Sequence, residues 1–217
     1  MSKNLTASIP LWKRILFSPV ISEKSDAQKI AYMGVMTALC IVANFAEIKF
    51  ATTQFSLTMF MTILTGMIIG PLPGAAVAFL ADGIGYVASG MRFPYYWWVA
   101  LSLAVMAIIG GLIIRLPFRF RGSIYVKISI ICVLTLLICS LAINSTGMFY
   151  LGFKIYVDKN VLAKANELFG GKLTFWIYVL IRFFILGQIW NSVVNYALLF
   201  AAIPILKAIK PLKLEIR

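Results

Sequence analysis

Residues 95–116, YYWWVALSLAVMAIIGGLIIRL, hold no charged side chain before Arg115. A helix needs about 20 such residues to cross the roughly 30 Å hydrocarbon layer of a bilayer. This run has that length, with aromatic rings at one end and an arginine at the other. Its surroundings repeat the pattern: 62% of the chain is hydrophobic and 12% charged, against roughly 45–50% and about 25% in a soluble domain. The fold class expected is an all-α integral membrane protein.

Working outward, hydropathy predicts six transmembrane helices, over residues 28–45, 57–69, 75–88, 95–116, 128–149 and 173–206. The last is long enough to tilt or protrude. Pro71-Leu72-Pro73-Gly74 reads as a tight turn, because both prolines lack a backbone donor. Residues 150–172 are too polar to span, with Lys154, Asp158, Lys159, Lys164 and Glu167. Within that loop, residues 161–169 suit a short surface helix. The organisation predicted is an N-terminal cytoplasmic or interfacial arm (1–27), a membrane domain (28–206) and a basic cytoplasmic tail (207–217). The arm shows no cleavable signal pattern, and residues 9–17 suit the lipid surface beside Lys13 and Arg14.

Twenty Lys and Arg against seven Asp and Glu give a net charge of +13. Most of these cations flank the spans on one side. Lys3, Lys13, Arg14, Lys24 and Lys29 precede the first, Arg115, Arg119, Arg121 and Lys127 separate the fourth and fifth, and Lys207, Lys210, Lys213 and Arg217 follow the sixth. By the positive-inside rule both termini are cytoplasmic. The charge is an orientation signal that anionic lipid accounts for, not a nucleic-acid stripe.

Histidine is absent, which removes His general bases and His-ligated metals. Cys40, Cys132 and Cys139 lie in apolar segments and read as packing residues, not a disulfide framework. No phosphate-binding G-x-x-x-x-G-K-[ST] loop occurs, so the chain hydrolyses no ATP by that route. Energy for active transport would come from a partner or an ion gradient.

Against this background the polar intramembrane residues stand out, because ionisable groups there are costly and face a bundle interior or a cavity. Asp82 and Arg182 are the ionisable residues there, readable as a structural ion pair, as Arg182 meeting an anionic or carbonyl group of a ligand in an outward-open pocket, or as Asp82 simply nearing an interface. Gln188, Asn191 and Asn195 share one helical face. They and Asn144, Ser145 and Thr146 serve either interhelical hydrogen bonds or a polar pocket wall. Tyr95, Tyr96, Trp97 and Trp98 point around a helix, so part of the set faces inward, where flat rings suit a planar or macrocyclic ligand. Phe149, Tyr150 and Trp176 add aromatic surface at the same level. Ala31, Gly34 and Ala38 form a small-residue stripe that permits close approach of another helix.

These residues together resemble the substrate-binding (S) component of an energy-coupling-factor vitamin transporter, most similar to the folate family. The resemblance rests on Gly34-Val35-Met36-Thr37-Ala38-Leu39 and on the run from Leu64-Thr65-Gly66 through Gly70-Pro71-Leu72-Pro73-Gly74. It also rests on Ala81-Asp82-Gly83-Ile84-Gly85, on Asn144-Ser145-Thr146 and on Arg182. It implies six helices and an outward-open pocket built from the first outer loop and helices four to six. Its ligand set would be Gln54, Phe55, Tyr95, Tyr96, Trp97, Trp98, Asn144, Thr146, Tyr150 and Arg182. It implies a non-catalytic transport subunit of the cell membrane whose ligand is a vitamin, with no covalently bound cofactor. Its partners would be a transmembrane coupling subunit, met at Ala31, Gly34 and Ala38, and two cytoplasmic ATPases. Toppling of the loaded subunit would carry the ligand inward. One departure bears on the ligand: Gln54 stands where folate-type members carry an arginine, which weakens the case for an anionic glutamate tail. Cobalamin is the first expectation and folate the second. The alternatives are an autonomous ion-coupled carrier, with Asp82 and Arg182 as coupling groups, and a small membrane-embedded enzyme, for which no nucleophile, base or metal constellation is evident.

Overall fold

The structure, a computed structural model, describes residues 15–22, 24–49, 54–91, 94–117, 120, 122–155 and 158–208. The first fourteen residues and the tail beyond Ala208 lie outside the described residues, and with them most of the arm and of the basic tail expected from the sequence.

Helix α1 (Asp26–Phe45) starts at a capping box: Ser25 Oγ accepts from Gln28 N, and Gln28 Oε1 accepts from Ser25 N. It ends at a two-stranded antiparallel hairpin, β1 (Glu47–Lys49) and β2 (Gln54–Ser56), with Ile48 opposite Phe55 and Lys49 opposite Gln54. The all-helical expectation lacks this element. Helix α2 (Thr58–Ile69) follows, then α3 (Pro71–Ala88) and α4 (Trp97–Ile114). Helix α5 is continuous over Ser123–Ile155, α6 covers Lys159–Phe169, and α7 (Phe175–Ile185) bends by 56° into α8 (Gln188–Ala201). Helix α9 (Ile203–Ala208) closes the described chain.

The predicted Pro71–Gly74 turn is instead the first turn of α3. The reversal falls on Gly70 alone, at φ +116°. The first N–H groups of a helix have no intrahelical acceptor, so Pro71 and Pro73 forfeit nothing there. Gly70 also has no room for a side chain, since a Cβ would lie 2.7 Å from Ser18 N. Ser18 N donates to Ile69 O (3.3 Å), and Ser18 and Ile21 are buried, so residues 15–22 of the arm are seated on the α2–α3 junction.

Length and composition admit α1, α3, α4 and α5 as membrane crossings, with the bent pair α7–α8 as a fifth. At 12 residues, α2 measures about 18 Å, short of the hydrocarbon thickness. The predicted fifth span is longer than expected and carries Tyr150 on the helix. The predicted sixth is broken at Gly187, which takes φ +78°.

Three helices meet through glycine. A Cβ on Gly66 of α2 would fall 2.0 Å from Ala107 O of α4, and one on Gly111 of α4 would fall 2.7 Å from Pro71 N of α3. Such contacts bring backbones together and gain dispersion where lipid offers no hydrophobic drive. Ile63, Met67, Ala107, Ile128, Ile131, Cys139 and Leu199 fill the core between α2, α4, α5 and α8.

Candidate ligand site

Helix α4 opens with Trp97 and Trp98. Trp97 is 53% exposed, whereas Trp98 is 3% exposed and stacks at a tilt on Tyr96, with centroids 5.2 Å apart. Its indole lies flat on Gly147 of α5. A Cβ there would be 2.5 Å from indole Cγ and 2.9 Å from Nε1, so only glycine admits this contact. The indole N–H is buried without a hydrogen-bond partner.

On α5, residues Thr135–Ser145 and Met148–Gly152 wind more widely than an α-helix, with i→i+5 bonding. Such wide turns concentrate at functional sites. Asn144 lies one turn from Gly147, and its Oδ1 is likewise buried without a partner. Ser145, fully buried, donates to Ser140 O (2.9 Å) and accepts from Arg182 Nη1 (3.3 Å). Arg182 also lies near the hydroxyl of Tyr178 and interacts with it electrostatically. Helices α4, α5 and α7 therefore bring an unused donor, an unused acceptor and a cation to one level. Phe149 adjoins this group at the centre of a ring cluster, 5.0 Å from Tyr150, 5.6 Å from Phe175 and 5.5 Å from Tyr178.

The other predicted site residues sit apart from this trio. Tyr150 is 55% exposed and stacks on Phe175 at 6.0 Å. Thr146 is exposed, next to the buried Ser145. Tyr95, in the segment before α4, lies beside Asp82 and pairs with Tyr86 at 5.0 Å. Phe55 is half-buried on β2, and the backbone places Gln54 at the start of the same strand.

Asp82 and Arg182 do not pair with each other. Asp82 adjoins Tyr95, and Arg182 donates to Ser145 Oγ beside Tyr178, which corrects the ion-pair reading. The predicted polar face of α8 also resolves against a pocket wall. Asn191 Oδ1 accepts from Ser56 N (2.9 Å), Asn195 Oδ1 accepts from Phe60 N (2.8 Å), and Asn195 Nδ2 donates to Ser56 O (2.7 Å). These amides clasp the hairpin and the start of α2. Sequence reasoning missed Gly147 and Tyr178. The signals were a glycine next to Asn-Ser-Thr and an aromatic one turn before the intramembrane arginine.

On the far side of the bundle, Ala31, Gly34 and Ala38 are exposed on α1, and a Cβ on Gly34 would meet nothing within 4 Å. Ile30, Val35 and Val42 beside them are among the most exposed apolar side chains described. Among the described residues no group of three or more acids or cysteines is placed to hold a metal.

No curated protein matches the chain. A family model described as "ECF-type riboflavin transporter, S component" matches residues 24–191, which include α1 to α7, the hairpin and Trp98, Asn144 and Arg182. Members of that family are membrane-embedded, vitamin-binding transport subunits, not enzymes, and work with an energy-coupling module of transmembrane and ATPase subunits. The chain belongs to the ECF-type riboflavin transporter S component family.

Proposed function

We propose that this chain captures riboflavin at the outer face of the cell membrane and delivers it inward through a shared ATP-driven module. One observation carries the reading: the buried Trp98 N–H and Asn144 carbonyl have no partner in the protein. A buried polar group left unpaired costs about 1–3 kcal/mol. A ligand supplying an acceptor and a donor on one edge relieves both. The pyrimidine edge of a flavin presents C=O, N–H and C=O in sequence, and its flat ring suits the aromatic walls formed by Trp98, Tyr96 and Phe149.

The ligand in the family's name supports the same choice. Riboflavin thus stands ahead of cobalamin and folate, the ligands expected from the sequence. In this reading all six apolar segments lie in the membrane, the bent α7–α8 pair counts as one crossing, and both termini are cytoplasmic. Helix α1 docks on the coupling subunit through Ala31, Gly34 and Ala38. Two ATPase subunits supply the work, and the loaded subunit topples to release its vitamin.

The test is a calorimetric panel of riboflavin, cobalamin and folate on the purified protein, with flavin fluorescence as a second readout. Riboflavin is expected to bind at nanomolar affinity, and Trp98→Phe, which keeps a ring but deletes the N–H, to weaken it about tenfold. Tighter binding of cobalamin or folate, or no riboflavin binding, overturns the reading. Uptake into liposomes by this chain alone would favour an autonomous carrier.

A further inference from the structure

The positive-inside rule leaves four lysines unexplained. Lys154, Lys159, Lys164 and Lys172 fall between the fifth and sixth apolar segments, which the orientation proposed above places outside the cell. Two carboxylates accompany them, and both are engaged. Asp158 Oδ1 caps α6, accepting from Asn160 N (2.9 Å) and Val161 N (3.4 Å), and Glu167 pairs with Lys164 at 2.7 Å. Lys154, Lys159 and Lys172 are exposed, and among the described residues no carboxylate lies within ion-pair distance of them.

The elements that carry these lysines also present an apolar surface. At 33 residues, α5 exceeds the roughly 20 needed to cross the hydrocarbon layer, so its last turns, ending near Lys154, stand clear of it. The chain then folds back as a helical hairpin. Helix α6 reverses into α7 at Gly170 and Gly171, at φ +59° and +79°, and Val161 and Ala165 pack with Tyr178 and Ile181. Helix α7 is inclined at 56° to α8, so it advances only about 9 Å along the α8 axis. A helix so inclined stays near the interface. Away from Tyr178 and Ile181, Trp176, Leu180 and Phe184 recur every four residues and are 69%, 44% and 65% exposed. They make one apolar stripe along α7, with a tryptophan at the end where headgroups favour one.

We infer that the α6–α7 hairpin anchors the protein to anionic phospholipid of the outer leaflet, with the Trp176–Leu180–Phe184 stripe among acyl chains and Lys154, Lys159 and Lys172 on the headgroups. This inference rests on the orientation proposed above and is independent of which vitamin binds. The occupant follows from the chemistry of the surface. An apolar stripe with unanswered cations at its margin fits an amphiphile that has a hydrocarbon tail and a negative head. A zwitterionic lipid would cover the stripe and leave the lysines unanswered, whereas an anionic one satisfies both. Lysine suits this role because its methylene stem lies along apolar surface while the ammonium reaches the phosphate.

The test reads the surroundings of Trp176 in phosphatidylcholine nanodiscs that carry equal fractions of brominated phosphatidylglycerol or brominated phosphatidylcholine. Bromine on a neighbouring acyl chain quenches indole fluorescence. The difference between wild type and Trp176→Phe isolates the contribution of Trp176 from the other tryptophans. The ratio of its quenching by the two lipids is the readout, which does not depend on the amount of folded protein. Brominated phosphatidylglycerol is expected to quench Trp176 at least about twofold more than brominated phosphatidylcholine. The ratio is expected to fall toward one in the triple variant Lys154→Gln/Lys159→Gln/Lys172→Gln, and at about 0.5 M salt, which screens exposed charge. Equal quenching by the two lipids overturns the anchor, as does a preference that survives the triple substitution. Negligible quenching of Trp176 by both lipids also overturns it, because the stripe then lies away from lipid. Sidedness is read separately with Ala163→Cys, exposed on α6, treated in intact cells with a membrane-impermeant maleimide and compared with the unsubstituted chain. Labelling is expected. Labelling only after lysis defeats the orientation and the anchor together, whereas labelling in intact cells with equal quenching defeats the anchor alone.

Discussion

Replacing Asn195 with alanine removes a clasp between elements far apart in the sequence. Asn195 is fully buried. Its Oδ1 accepts from the amide of Phe60, and its Nδ2 donates to the carbonyls of Ser56 (2.7 Å) and Asn191 (2.8 Å). Phe60 lies in the first turn of α2, whose N–H groups have no intrahelical acceptor, and Leu57 before that helix offers no side-chain cap. Asn195 therefore caps α2 from α8. Losing a cap costs about 1 kcal/mol, and stranding the part-buried Ser56 carbonyl adds about 1–3 kcal/mol. Together these amount to roughly 3 kcal/mol. At roughly 2–4 °C per kcal/mol for a chain of this size, the melting temperature falls by roughly 6–12 °C. The assay is thermal unfolding of detergent-solubilised protein followed by intrinsic Trp fluorescence. Asn191→Ala removes the acceptor of Ser56 N, and the double variant is expected to lose less than the sum, because both amides converge on Ser56. A shift below about 2 °C for Asn195→Ala would refute the reasoning.

Three further outcomes follow from the geometry. Gly147→Ala places a methyl 2.5 Å from the Trp98 ring and should weaken riboflavin binding by about tenfold or more. Gly83→Ala, which meets nothing within 4 Å, should leave it unchanged, and calorimetry separates the two. Gly66→Ala, 2.0 Å from Ala107 O, should cost about 1–3 kcal/mol or more by overpacking, read as lost monodisperse yield in size-exclusion chromatography. Gly34→Leu or Ala38→Leu should preserve vitamin binding yet abolish uptake by cells, and equal loss of both would point to a folding defect.

The membrane helices were legible because a lipid-facing span must be apolar along its whole length, so 95–114 announces itself without periodicity. The surface helix was legible for the opposite reason: Asp158 caps it and Val161 and Ala165 turn inward at helical spacing. What failed was punctuation. Pro71 and Pro73 have the same letters in a turn as in a helix's first turn, and only the position of Gly70 distinguishes them. The hairpin escaped notice because two strands of three residues are too short to show an alternating pattern. Asn191 and Asn195 were correctly placed on one face, but a polar stripe does not say whether water, a ligand or a backbone answers it. Here backbone does, from Ser56 and Phe60.

The same limit explains why the site was legible by residue type and not by arrangement. Trp98, Asn144 and Arg182 attract attention because each is polar and misplaced in an apolar setting. Their convergence depends on backbone that departs from the regular helix, namely the wide turns of α5 and of α7 at Ile181–Ile185, and the bend at Gly187. Irregular backbone at membrane depth survives only inside protein or beside a cavity, and no side-chain pattern encodes it directly. A wider turn rotates every later side chain, so Asn144, Ser145 and Thr146 cannot be assigned to faces at 100° per residue. That is why Ser145 turns to Arg182 while Thr146, predicted for the pocket, lies exposed. The unpaired Asn144 carbonyl falls within the wide turns of α5, and Trp98, on the regular helix α4, reaches the same helix at Gly147, between its two wide-turn stretches.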